Sequence, residues 1–157
     1  MSIERARAYF SKYHMEDRIL ELELSSATVE LAAAALHCEG KRIAKTLSFM
    51  VNDRAILVVT AGDAKIDNHK YKEQFGVKAK MLSADEVENL IGHAVGGVCP
   101  FGIKEGVEVY LDCSLKRFDT VFPACGSSNS AIELTIAELE QYSGYKEWVD
   151  VCKEWFT

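Results

Sequence analysis

Along residues 2–13 the apolar side chains Ile3, Ala6, Tyr9, Phe10 and Tyr13 recur at helical spacing, whereas DRILELELS sets Ile19, Glu21 and Glu23 against Leu20, Leu22 and Leu24. The first pattern predicts a helix and the second a strand. TVELAAAALHCEG reads as an alanine-rich helix, capped at Ser26 or Thr28 and stopped at Gly40. IAKTLSFMV and AILVVTA are apolar, β-branched runs joined by Asn52-Asp53-Arg54, the signature of a hairpin. A short helix from Asp67 to Gly76 follows, then a strand at KAKML. SADEVENLIG opens with Ser83 and Glu86 at capping-box spacing and ends at Gly92. Three strands are predicted at VEVYLD, DTVFPA and AIELT, and a second capping box at Thr135 and Glu138. The C-terminal YKEWVDVCKEWF places Trp148, Val151, Cys152 and Trp155 on one helical face.

Strands in this order lack the one-to-one alternation with helices of a doubly wound sheet. The expected architecture is therefore α+β: a mixed, largely antiparallel, barrel-like sheet with surrounding helices. No repeat or linker divides the 157 residues, so residues 1–157 are expected to form a single domain. No apolar run reaches the ~20 residues a membrane span needs, and MSIERARAYF is too charged for a signal peptide. The expected location is cytoplasmic.

The net charge of −6 argues against a general nucleic-acid-coating surface. Its distribution is uneven: residues 41–80 carry nine Lys or Arg against four acids, leaving the remainder at −11. A local phosphate contact is compatible with that asymmetry. The five cysteines and four histidines show no metal-ligand or redox spacing, so neither a metal nor another cofactor is expected.

Three places could carry chemistry. Strand alternation puts Lys45 on the same face as Ile43, Leu47, Phe49 and Val51, where an ammonium must find a partner, reach water or lose its charge. HAVGGVCPFG, residues 93–102, concentrates three glycines and a proline into a loop that can present bare N–H groups or simply connect a helix to a strand. Beside it, His93 is a candidate acid or base and Cys99 a candidate nucleophile. The polar cluster CGSSNS, Cys125 to Ser130, could line a pocket or form a hairpin turn. Asp112 reads as a strand-end or loop-capping residue.

Taken in order, AKTLSF with Lys45, AILVVTAGD, VGGVCPFG, VEVYLDCSL and GSSNSAIELTIAEL resemble the YbaK/prolyl-tRNA synthetase editing-domain family over roughly residues 20–142. The resemblance implies an α+β fold around a barrel-like sheet and a free-standing enzyme that hydrolyses mischarged aminoacyl-tRNA, here with proline tRNA as the carrier. It implies that the backbone of Gly96, Gly97, Val98, Cys99 and Pro100 borders the aminoacyl pocket. Lys45 would hold the terminal adenosine or phosphate and help position the ester. Gly102, His93, Ser127 and Ser128 join the candidate substrate-binding set. The implied partners are the tRNA acceptor end and an aminoacyl-tRNA synthetase, with no membrane. Two stretches depart from the family pattern: Pro123–Ser128, where members acting on cysteinyl-tRNA carry a serine turn and a basic pair, and Glu23–Ser26, where a histidine is common. Alanyl, seryl, threonyl and cysteinyl esters all remain open as substrates. Two other classes stand beside this reading: a non-catalytic module binding aminoacyl-tRNA or a nucleotide, and a hydrolase using Cys99.

Overall fold

The computed structural model describes residues 2–22 and 28–155. Five helices are α1 (Ser2–Ser11), α2 (Val29–Leu36), α3 (Asn68–Phe75), α4 (Ala84–Glu86, continued by a π turn through Val87–Ile91) and α5 (Ile136–Ser143). Ten strands are β1 (Ile19–Glu21), β2 (Ile43–Val51), β3 (Arg54–Ala61), β4 (Lys65–Ile66), β5 (Glu108–Asp112), β6 (Thr120–Pro123), β7 (Ser130–Ile132), β8 (Leu134–Thr135), β9 (Glu147–Val149) and β10 (Cys152–Lys153).

Six strands form a curled mixed sheet in the order β8-β6-β2-β3-β5-β9, and β1-β7 and β4-β10 form two small pairs. Four of these seven pairings are antiparallel and three parallel, the mixed architecture read from the sequence. The predicted hairpin is its spine: β2 pairs with β3 from Ala44–Ala61 to Val51–Arg54, turning at Asn52 with φ 56°. β3 is central and buried at every position after Arg54, as expected for a strand covered on both faces.

The concave face packs Leu57, Val59, Leu111 and Val109 against Phe10 of α1, Phe101 and Leu139 of α5. The other face packs Phe49, Ile56 and Val58 against Tyr71 of α3 and Val151. The two capping boxes form as predicted: Ser83 and Thr135 each accept from the third residue on, and Glu86 and Glu138 return to the cap N–H. Asp67 caps α3, which stops at Gly76.

Four local expectations are corrected. Of the predicted C-terminal helix, residues 145–155 are described and contain β9 and β10 instead, because β9 joins the edge of β5 and the Val151 N–H is taken by Asp112 Oδ1 at 2.9 Å. KAKML meets β2 through a single bridge, Phe49 to Met81, because only Ser48 and Met50 reach it with backbone hydrogen bonds. The alanine-rich helix ends at Leu36, where His37 adopts a left-handed conformation and bonds back to Ala33 and Ala34, before Gly40 is reached. AIELT is split at Glu133 into β7, which pairs with β1, and β8, which pairs with β6. Thr28 caps α2, accepting from Leu31 N at 3.1 Å. The alternative cap Ser26 and the divergent stretch Glu23–Ser26 lie outside the described residues.

Candidate functional site

The site begins with an incomplete strand edge. β2 meets β6 only at Ile43 and Ala44, and further along, Ser48 and Met50 bond to the Leu82 N–H and Lys80 carbonyl. Between these contacts the edge is open. In an antiparallel strand the backbone groups of alternate residues point to the same side. Ser48 and Met50 point away from β3, so the N–H and carbonyl of Thr46 do too, and neither has a partner among the described residues. The Thr46 hydroxyl is likewise buried without a partner.

Beside this edge lies a cleft of about 350 Å³. Val29, Ala32 and Leu36 of α2 form one side, Met81, Leu82 and Val87 another, and Val95, Gly96 and Val98 of the glycine loop face β2. Ala124, Ser130 and Ala131 complete the wall, which among the described residues includes no carboxylate or imidazole.

Lys45 lines this cleft, half-buried, with no hydrogen bond or ion pair among the described residues. Burial holds its ammonium below the usual lysine range, against the opposing pull of Cys152 and Asp63. Asp63 is already engaged: Arg117 grips it with two hydrogen bonds, at 2.6 and 3.0 Å, which leaves Lys45 available to an anion entering the cleft.

The glycine loop is fixed from two directions. A Cβ at Gly97 would lie 2.4 Å from both Gly126 C and Ser127 N, so the loop rests directly on the backbone of the polar turn. At the other end, Arg5 Nε of α1 donates to the Gly102 carbonyl at 2.7 Å, and its guanidinium lies against Gly92, where a Cβ would approach Nε to 2.9 Å. Loop and polar turn, separate motifs in the sequence, are thus one packed unit.

The candidate residues divide accordingly. Lys45, Gly96 and Val98 line the cleft. Gly97 serves the packing of the loop. His93 and Cys99 are fully buried beneath it: His93 Nε2 lies 2.7 Å from the Phe101 carbonyl and 3.5 Å from Cys99 Sγ, and its Nδ1 has no partner among the described residues. Burial lowers the imidazole pKa and pushes the Cys99 thiol up to about 12, so neither environment favours a charged form. Pro100 and Gly102 face a second hollow on the α1 side. Ser127 is committed within its turn, donating to Ser130 Oγ at 2.7 Å and lying 3.0 Å from Asn129 Oδ1, while Ser128 is exposed. Thr46 and Ser48 are cleft residues that sequence reasoning missed. The alternation of β2 sets them opposite Lys45, but only the missing stretch of β6 pairing exposes their edge.

One titratable cluster also arises only in three dimensions: Asp112, Cys113 and Asp150 bring one ligand-type atom each within 4.8 Å. Its carboxylates are occupied, Asp112 by the N–H groups of Ser114 and Val151 and Asp150 by Lys70 Nζ. Asp112 is thereby the capping residue its position suggested.

Residues 25–142 match the aminoacyl-tRNA editing domain model, and the chain belongs to that family. A full-length relative, the uncharacterized protein YwhH of Bacillus subtilis (strain 168), is 56% identical over 156 residues, covering 99% of each chain. The proline–tRNA ligase of Bacillus cytotoxicus is 27% identical over 124 residues, covering 78% of this chain but 22% of the ligase, so the similarity spans about a fifth of that protein. Among solved structures, one provisionally assigned as a trans-editing enzyme for prolyl tRNA synthetase superposes with TM-score 0.87 at 27% identity, covering 97% of both chains. The hypothetical protein APE2540 superposes with TM-score 0.78 at 28% identity, covering 91% of this chain and 99% of its own.

Proposed function

We propose that the protein is a trans-acting aminoacyl-tRNA deacylase that removes a small non-cognate amino acid, alanine, serine, threonine or cysteine, from proline tRNA. The observation that carries this reading is the half-buried Lys45 ammonium, unpaired among the described residues, on the wall of a cleft bounded by the glycine loop. A terminal adenosine or its phosphate would meet Lys45, and the aminoacyl group would lie between β2 and Gly96–Val98. Water adds to the ester carbonyl carbon, the C–O bond to the ribose breaks, and the ribose oxygen takes up a proton as free amino acid and tRNA separate. The chain's part is to orient the ester and stabilise the developing oxyanion. The Thr46 N–H and the loop backbone would supply the donors for this. With no imidazole or carboxylate on the described wall, a ribose hydroxyl of the substrate would handle the proton of the attacking water.

The apolar part of the wall, Val29, Ala32, Leu36 and Val98, suits a small side chain. Discrimination of one methylene in such a pocket is worth about 1–3 kcal/mol. The whole chain would act as one editing-type domain, with the acceptor end as substrate and a prolyl-tRNA synthetase as the source of the mischarged product. The test is deacylation of proline tRNA charged separately with Ala, Ser, Thr, Cys and Pro, by wild type and Lys45→Ala. Clearance of one or two non-cognate esters by wild type and not by the variant supports the reading. Survival of every ester with folded protein present removes it.

That last outcome would favour a second reading, a non-catalytic module holding aminoacyl-tRNA, which also agrees with the lack of an imidazole or carboxylate on the described cleft wall. Binding of charged tRNA without turnover would identify it.

A further inference from the structure

On the α1 side of the glycine loop lies a second hollow, of about 600 Å³. It is lined by Arg5 and Lys12, by the apolar Ile103, Val107 and Val109, and by Ser143, the last residue of α5. No carboxylate lines it among the described residues. Neither cation has an ion pair among those residues: Arg5 spends Nε on the Gly102 carbonyl, and Lys12 lies over the Tyr9 ring, 4.7 Å from its centroid. Ser143 is 3% exposed, and its hydroxyl is buried with no hydrogen-bond partner among the described residues, so an unsatisfied polar group lies in the lining that the two cations share.

We propose that this hollow is a second binding site, for phosphate groups, supplied by the polynucleotide strand whose charged end occupies the cleft. Arg5 lies within α1 and Lys12 directly follows its last residue, Ser11, so the hollow offers two separate cations, which suits successive phosphates of one strand better than a single ion. The cleft and the hollow are two sides of one loop. Gly96 lines the first and Pro100 the second, and four residues span at most about 14 Å even when extended. A strand held in the cleft therefore needs only a short further reach. Phosphate contacts of this kind fix register without reading sequence, and they suit an acidic protein that must hold RNA through a few local cations. The proposal rests on the deacylase reading for the identity of the strand.

The test is fluorescence anisotropy with an uncharged RNA minihelix ending in a single-stranded CCA, which measures binding without turnover. Lys12 is exposed and outside α1, so Lys12→Ala and Lys12→Glu leave the fold intact, as a thermal melt checks. Lys12→Ala should weaken binding about 3- to 10-fold at low salt and reduce the slope of log K against log salt by about one. On charged tRNA it should raise KM and leave kcat unchanged. Wild-type affinity and salt slope in both variants would overturn the proposal. A chemical-shift titration separates the sources: perturbation of the Tyr9 and Ser143 amides by inorganic phosphate alone, with no response to the minihelix, would overturn the RNA assignment in favour of a free phosphate. Lys12-dependent minihelix binding by a protein that hydrolyses no ester would sustain this site and remove the deacylase reading.

Discussion

Arg5 Nε donates to the carbonyl of Gly102 at 2.7 Å, joining the first helix to the far end of the glycine loop across 97 residues of sequence. The same guanidinium lies against Gly92, so one side chain holds both ends of the loop that borders the cleft. Arg5→Ala should release residues 92–102, seen as faster amide exchange there and not in β3. The stability cost should be about 1 kcal/mol, the usual net worth of such a bond at an exposed position. Unchanged exchange in the loop would show that Gly97 packing alone fixes it.

Lys45 is predicted to trade stability for activity. Lys45→Met should lower kcat/KM about 100- to 1,000-fold if the ammonium acts on the ester or its phosphate, yet leave the melting temperature equal or higher, because a half-buried cation is removed from an apolar face. The pH dependence has a definite sign. The native ammonium pKa lies below that of the unfolded chain, so between the two values the unfolded state binds more protons and stability rises with pH. Lys45→Met should flatten that alkaline rise in melts followed up to the ordinary lysine pKa of 10.5.

His93 works in the acidic range by the same logic. Its native pKa is held below 6.5 by burial, so its neutral form stabilises the fold above that value, and stability falls as pH drops below 6.5. His93→Gln should weaken the dependence between neutrality and about pH 5. The acid limb below 4.5 should persist, since Glu138, pulled to about 2 mainly by its hydrogen bond from Arg18, retains it. An unaltered profile in the variant would exclude His93 as its source.

Gly97→Ala is expected to separate the two motifs that the fold joins. Its methyl group would meet the Gly126 and Ser127 backbone at 2.4 Å, a contact that flexible side chains cannot relieve. The loss should be about 1–3 kcal/mol by denaturant melts, together with reduced turnover. Wild-type stability would mean that the loop stands off the turn in solution.

The thiols test the cysteine-hydrolase reading without mutation. Cys99, Cys125 and Cys152 are fully buried, whereas Cys38 and Cys113 are partly exposed. Iodoacetamide should alkylate only the latter pair in the native protein, slowly because burial raises both thiol pKa values, and turnover should survive. Inactivation tracking modification of Cys99 would restore the nucleophile assignment.

Elements with local causes were legible along the chain. The β2–β3 hairpin followed from β-branched runs about a polar turn, the starts of α4 and α5 from Ser83–Glu86 and Thr135–Glu138, and the end of α3 from Gly76. The sequence also placed Lys45 on the face of β2 shared with Leu47 and Phe49, because strand alternation needs no knowledge of partners. Features that depend on a distant neighbour took shape only in three dimensions. Residues 145–156 satisfy a helical period, but Val149 pairs with Asp112, and the Val151 N–H finds the same aspartate 39 residues away. Likewise His93 and Cys99 looked like chemistry beside a glycine loop, and packing placed them in the core beneath it. The open edge at Thr46 exists because β6 stops pairing after Ala44, and the second hollow exists because α1 docks across the loop through Arg5. Periodicity and caps are written in neighbouring residues, whereas strand edges, cavities and desolvation arise only when segments far apart in sequence exclude water from one another.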